Sequence, residues 1–164
     1  MSVFDLRVTW WGVSFQGRAF PASIGKGGIR GNKREGDGAT PLGVHHVVGI
    51  YYRPDRLQPP VPWAIPIGPR DVWSDDGADA AYNSHVLAPY PHSHEQLRRA
   101  DPLYDIVIVT DWNWPDAIPG FGSAIFLHQW RKPRHPTEGC VAFRRDHLMW
   151  IAERLQIGTR IVVT

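Results

Sequence analysis

The apolar residues of this chain come in short runs that stop before a helix of ordinary length can form. The two most apolar runs, 105-DIVIVTDW-112 and 122-GSAIFLH-128, are bounded by polar residues, glycine or proline. Runs of this length with β-branched and aromatic residues read as strands, and these two as central ones. The stretch 44-VHHVVGIYYR-53 is a third strand, and 159-TRIVVT-164 is a last one. Near the start, Val3, Asp5, Arg7 and Thr9 alternate with Phe4, Leu6, Val8 and Trp10, so residues 3–20 read as two strands, each half-buried. Residues 25–43 hold seven glycines and cannot be a regular element. They read as a long loop, and a long loop in a compact domain is often functional. Residues 54–92, rich in proline and glycine, read as irregular with short strands.

Two helices are expected. At 93-SHEQLRRA-100, Ser93 and Gln96 have the spacing of a capping box, which predicts about two turns. In 146-DHLMWIAERLQ-156, Leu148, Ile151, Ala152 and Leu155 share a helical face, Asp146 can cap the start, and Gly158 sits just past the end. The sum over residues 1–164 is one mainly β domain, a sandwich or partial barrel, with two or so short helices. A hydrophobic share of 43% supports a packed core rather than disorder. A net charge of +2 gives no field for nucleic acid. No window is apolar enough to span a bilayer, and MSVFDLRVTWWGVSF lacks a secretory signal pattern, so none is visible here.

The chain has one cysteine, Cys140, inside 135-HPTEGCVAF-143. A thiol attacks only as thiolate, so it needs a base and partial exposure. Gly139 lets the backbone turn and present an N–H to a substrate oxygen. His128 ends an apolar strand, and the polar segment between them can return Cys140 beside it. A backbone carbonyl suffices to orient the imidazole. The competing reading is an inert thiol in the core. A second class rests on 85-HVLAPYPHSHE-95, where His92 and His94 on an extended stretch form half of a zinc hydrolase site. A third class is a binding module that uses some of the eight tryptophans.

Several stretches decide among these. The segments 36-GDGATPLGVHHV-47, 121-FGSAIFLH-128 and 137-TEGCVAF-143 stand in the order TP-x-G, strand-histidine, T-x-G-C. In that order they resemble the L,D-transpeptidase catalytic domain, the YkuD-type fold. Segments 73-WSDDGADAAYNSHV-86 and 93-SHEQLRRADPLYDIVIVTDWN-113 are similar to a divergent proteobacterial branch of it. The resemblance implies a cysteine L,D-transpeptidase that cross-links peptidoglycan stem peptides in cell wall biogenesis and cell shape. Cys140 is then the nucleophile and His128 its base, with the N–H groups of Gly139 and Cys140 as oxyanion donors. No metal or cofactor is implied. Both partners are stem peptides, β-lactam carbapenems are expected covalent inhibitors, and the work is expected in the periplasm.

Arg131, Arg134, Arg144 and Arg145 are candidates for substrate carboxylates, Trp130 for a groove wall, and Asn83 and Tyr104 for further substrate contacts. The sequence departs from the family pattern in having Glu138 before the glycine, where a histidine is common, and only 12 positions from His128 to Cys140. These departures point to L-Ala–diaminopimelate (1-3) links in place of the usual diaminopimelate–diaminopimelate (3-3) links, or to hydrolysis by an L,D-carboxypeptidase or endopeptidase.

Overall fold

The structure, a computed structural model, describes residues 2–164. The strands in chain order are β1 Leu6–Thr9, β2 Gly12–Phe15, β3 Arg18–Phe20, β4 Ala22–Ser23, β5 Ile29–Arg30, β6 Thr40–Pro41, β7 Gly43–Tyr52 and β8 Ile65–Pro66. They continue with β9 Asp71–Ser74, β10 His85–Leu87, β11 His94–Gln96, β12 Ile106–Thr110, β13 Phe126–Gln129 and β14 Val141–Phe143. The helix α1, Arg145–Ala152, precedes the last strand, β15 Arg160–Val163.

The main sheet runs β3-β2-β1-β15-β7-β12-β13-β14-β4, with β8 beside β7. Its two end strands, β3 and β4, are separated in the chain by Pro21 alone. The sheet must therefore curl back on itself, and the architecture is the partial barrel of the two expected forms. Within it β1 and β15 are parallel, as are β13 and β14. A second sheet, β10-β9-β11, flanks the first, and β5 pairs with β6 in the glycine-rich loop.

Strand β12 explains the layers. All five of its residues are buried, because both faces of the sheet are covered there. Side chains alternate across a strand. Ile106 and Ile108 accordingly enter one core with Leu127, Val141, Phe143, Leu148 and Ile151, which lies under α1. Val107 and Val109 enter a second core with Ile67, Trp73, Leu97, Tyr104, Phe126 and Cys140. Deleting a side chain such as that of the fully buried Ile108 is worth about 2–5 kcal/mol.

Four sequence expectations need correction. Residues 93–100 are not a helix. Ser93 Oγ donates to Asp75 Oδ1 at 2.6 Å instead of capping, and His94–Gln96 pair with β9. Among the described residues α1 is the only α-helix, where two were expected. Asp146 does not cap it, since its carboxylate takes the guanidinium of Arg144, the N-cap residue, which makes no capping bond. Residues 3–20 hold three strands rather than two, and Phe4 and Trp10, read as half-buried, are exposed.

Candidate active site

The parallel pairing of β13 with β14 builds the site. Leu127 faces Val141 and His128 faces Ala142 across the ladder, so Cys140 lies beside Phe126. Strand alternation then puts Phe126, His128, Cys140 and Ala142 on one face. That face looks away from α1, into a cavity of about 580 Å³ lined by His128, Cys140 and Ala142. A separation of 12 positions in sequence is thus reduced to neighbouring strands.

The backbone before Cys140 is held from three sides. Gly139 has φ +141°, a region that L side chains rarely adopt, and a Cβ there would lie 2.8 Å from the Ala39 carbonyl oxygen. The Thr40 hydroxyl donates to the Gly139 carbonyl at 2.8 Å and accepts the Gly25 N–H at 2.9 Å, fully inside the protein. Thr137 Oγ1 donates to the Cys140 carbonyl at 2.6 Å and accepts the Gly139 N–H at 3.0 Å. The TP-x-G segment therefore fastens the cysteine turn. Of the two amides read as oxyanion donors, that of Gly139 is committed to Thr137. The amide of Cys140 has no acceptor among the described residues.

The thiol and the imidazole are both uncharged at rest. Burial pushes the Cys140 thiol up to about 12, with the Glu95 charge adding to it. The thiol donates to the Ala124 carbonyl at 3.1 Å, and the Phe126 N–H donates to its sulfur at 3.4 Å. Burial pulls His128 down to about 4, against the pull of its bond to the Gln129 carbonyl. That bond, 2.7 Å from Nδ1, fixes the tautomer: a carbonyl only accepts, so Nδ1 carries the proton and Nε2 keeps its lone pair. Nε2 has no hydrogen-bond partner among the described residues. The Tyr104 ring stands edge-on to the imidazole at 5.3 Å and prevents it from turning.

Of the other residues singled out in the sequence, Trp130, Arg131 and Tyr104 line the cavity. Asn83, Arg134, Arg144 and Arg145 do not. Asn83 is buried and bonded on every side. Its Oδ1 accepts from the Trp73 indole and the Ala124 N–H, and its Nδ2 donates to the Trp112 and Asn113 carbonyls. It holds the Ala124 loop against which the thiol rests. Arg134 donates to the Trp11 carbonyl, and Arg145 donates to Asp105 and Gln129. Glu138 sits on the cavity rim, paired with Lys26 at 2.8 Å with both side chains exposed.

The cavity also takes in Lys33, Glu35, Asp75, His94, Glu95 and Arg99, which the sequence assigns to loops or to the helix that does not form. No local signal marks them: the pairing of His94–Gln96 with β9, which sets Glu95 in the cavity lining, is non-local. His94 Nδ1 donates to the His92 carbonyl at 2.7 Å, and His92 lies 3.3 Å from Asp76. Among the described residues no group of three or more His, Cys, Asp or Glu side chains is arranged to hold a metal ion. The His92/His94 pair therefore lacks the further ligands that a zinc hydrolase site requires.

The fold and the cavity define a curled β protein with one thiol and one imidazole on a shared cavity wall. The chain belongs to the L,D-transpeptidase catalytic domain family, YkuD, whose profile matches residues 7–163. It thereby joins a group of enzymes that act on peptidoglycan peptides. Searches of curated proteins and of solved structures return no match.

Proposed function

We propose that the protein is a cysteine L,D-transpeptidase that cross-links peptidoglycan stem peptides through a thioester on Cys140. The observation that carries this reading is the pairing of a thiol with an imidazole of fixed tautomer on one cavity wall, inside a chain of this family. Burial holds the thiol up and the imidazole down, so both neutral forms are favoured. A thiolate–imidazolium pair formed ahead of the substrate is disfavoured. Proton transfer is therefore coupled to attack. As sulfur closes on the carbonyl carbon at the L centre, the thiol proton passes to His128 Nε2 and the negative charge moves to the substrate oxygen. The Cys140 N–H is the donor for that oxygen. Collapse breaks the C–N bond, and His128 returns the proton to the leaving amine. A second stem's amine then attacks the thioester to complete the cross-link.

Water in place of the amine gives an L,D-carboxypeptidase or endopeptidase. The exposed Glu138–Lys26 pair at the rim, where a histidine is usual, favours a changed donor register and L-Ala–diaminopimelate (1-3) links. Work on this substrate implies the periplasm. Among the described residues no helix is long and apolar enough to cross a membrane.

The test is intact mass of the protein after incubation with a carbapenem, on wild type and Cys140→Ala, followed by mass spectrometry of muropeptide products. A covalent adduct and cross-linked dimers that both vanish in the variant are expected. Full muropeptide activity in Cys140→Ala sinks the mechanism. Dimers linked only through two diaminopimelates sink the 1-3 assignment.

A further inference from the structure

Transpeptidation differs from hydrolysis only in the second half-reaction, where an amine must outcompete water for the same thioester. An acceptor amine enters as an ammonium ion, so a site that favours it needs a negative charge near the reacting carbon. Four carboxylates line the cavity: Glu35, Asp75, Glu95 and Glu138. Three are bonded to groups that do not touch the thiol or the imidazole. Glu35 accepts from the Tyr82 and Ser123 hydroxyls, Asp75 accepts from Ser93, and Glu138 pairs with Lys26 at the rim.

Glu95 differs in its partner: it accepts from the Tyr104 hydroxyl at Oε1, 2.5 Å, and Oε2 has no protein donor among the described residues. Tyr104 in turn packs edge-on against His128. Of the four carboxylates, Glu95 is the one whose charge is felt at the Cys140 thiol, which it pushes up. The nearby Arg99 does not neutralise it by contact, since its guanidinium is spent in a two-point pair with Asp101. Burial also raises the Glu95 carboxyl, and the charge of an incoming cation opposes that shift by favouring the carboxylate.

We infer that Glu95 is the anchor for the acceptor ammonium and a specificity-determining residue that directs the acyl-enzyme to transpeptidation rather than hydrolysis. This rests on the thioester reading above. The ammonium docks on Oε2 and gives one proton to water as it becomes a free amine. Its lone pair then forms the N–C bond to the thioester carbonyl while a second N–H proton passes to His128 Nε2. The C–S bond breaks, and the departing sulfur takes that proton from the imidazolium. The thiol and the neutral histidine are restored, with one proton released overall.

The experiment measures how a single acyl-enzyme partitions between an amine acceptor and water, in wild type and Glu95→Gln. The amide oxygen introduced by Glu95→Gln still accepts from Tyr104, so the wall is preserved while the charge is lost. Two acceptors are used: a stem peptide bearing an ammonium group, and hydroxylamine, which is neutral at pH 7. Partition is a ratio of products from one acyl-enzyme, so it is read independently of how fast Glu95→Gln forms that acyl-enzyme. Glu95→Gln is expected to lose about tenfold or more in partition to the ammonium acceptor and to keep partition to hydroxylamine. Equal losses for both acceptors, or no loss for either, overturn the inference. If Glu95→Gln does not fold, Glu95→Asp is measured in the same way: it keeps the charge but shortens its reach, so partition to the ammonium acceptor must fall while that to hydroxylamine holds, and equal losses for both or no loss for either overturn the inference. Absence of any acyl-enzyme in wild type instead removes the parent reading, and this one with it.

Discussion

Thr40 offers the sharpest test of how the cysteine turn is held. Its hydroxyl is 1% exposed and joins the Gly25 N–H to the Gly139 carbonyl, 99 positions away from Thr40 in the chain. Thr40→Val keeps the shape and removes both bonds. It orphans one buried donor and one buried acceptor, each worth about 1–3 kcal/mol, while the lost hydroxyl no longer has to be desolvated. The net loss is about 2–4 kcal/mol. For a chain of this size that lowers the melting temperature by roughly 5–15 °C. Thr40→Ser keeps both bonds and loses one buried methyl group, at about 1 kcal/mol. Thermal denaturation of the three proteins by circular dichroism measures the difference. The valine variant must melt well below the serine variant. If it melts at the same temperature or higher, the hydroxyl bridge contributes nothing and the turn is held by packing alone.

Four further outcomes are expected. Iodoacetamide should alkylate Cys140 slowly at pH 7 and about tenfold faster per pH unit towards pH 11, because the thiol is held at about 12; a plateau near pH 9, followed by intact mass, would contradict the burial argument. His128 has a folded value of about 4 against an ordinary 6.5, so the unfolded chain binds more protons between those values. Its contribution is fully present above pH 6.5 and is lost as pH falls towards 4, by about 3 kcal/mol, which denaturant titration at pH 7 and pH 4 of wild type and His128→Gln will separate from other groups. Gly139→Ala should be destabilised by about 2 kcal/mol or more and should not form the carbapenem adduct, since its Cβ meets the Ala39 carbonyl; normal acylation of a folded variant would refute the fit. Arg144→Ala should leave muropeptide turnover within about twofold and the thermal melting curve unshifted, because its side chain pairs only with the exposed Asp146 among the described residues.

The strands are legible where burial matches local pattern. Residues 106–110 are apolar throughout because both faces of β12 are covered, and that shows in the sequence. The 93–100 segment misleads because its capping-box spacing is a local signal, while the pairing of His94–Gln96 with β9 is not. Cys140 and His128 can be named from the motif order. Their register across β13 and β14, and the histidine tautomer, depend on non-local contacts and a loop carbonyl. The role of Thr40 is hidden in the same way: the TP-x-G motif is visible, but the partners of its hydroxyl lie at Gly25 and Gly139. Glu95 is not legible because a carboxylate in an expected helix gives no sign of facing a thiol. Arg144 and Arg145 stand out by charge alone, and both are spent on carboxylates outside the cavity.

The parallel ladder of β1 and β15 has a mechanical consequence. Leu6 pairs with Ile161 and Val8 with Val163, and the Thr164 N–H donates to the Val8 carbonyl. Tension applied ahead of Leu6 and beyond Val163 pulls the two strands in opposite directions along their common axis. The rungs then bear the load together in shear, rather than opening one at a time as in a zipper. Traction on the two ends would thus be absorbed at the β1–β15 seam, before reaching the β13–β14 pair that carries His128 and Cys140.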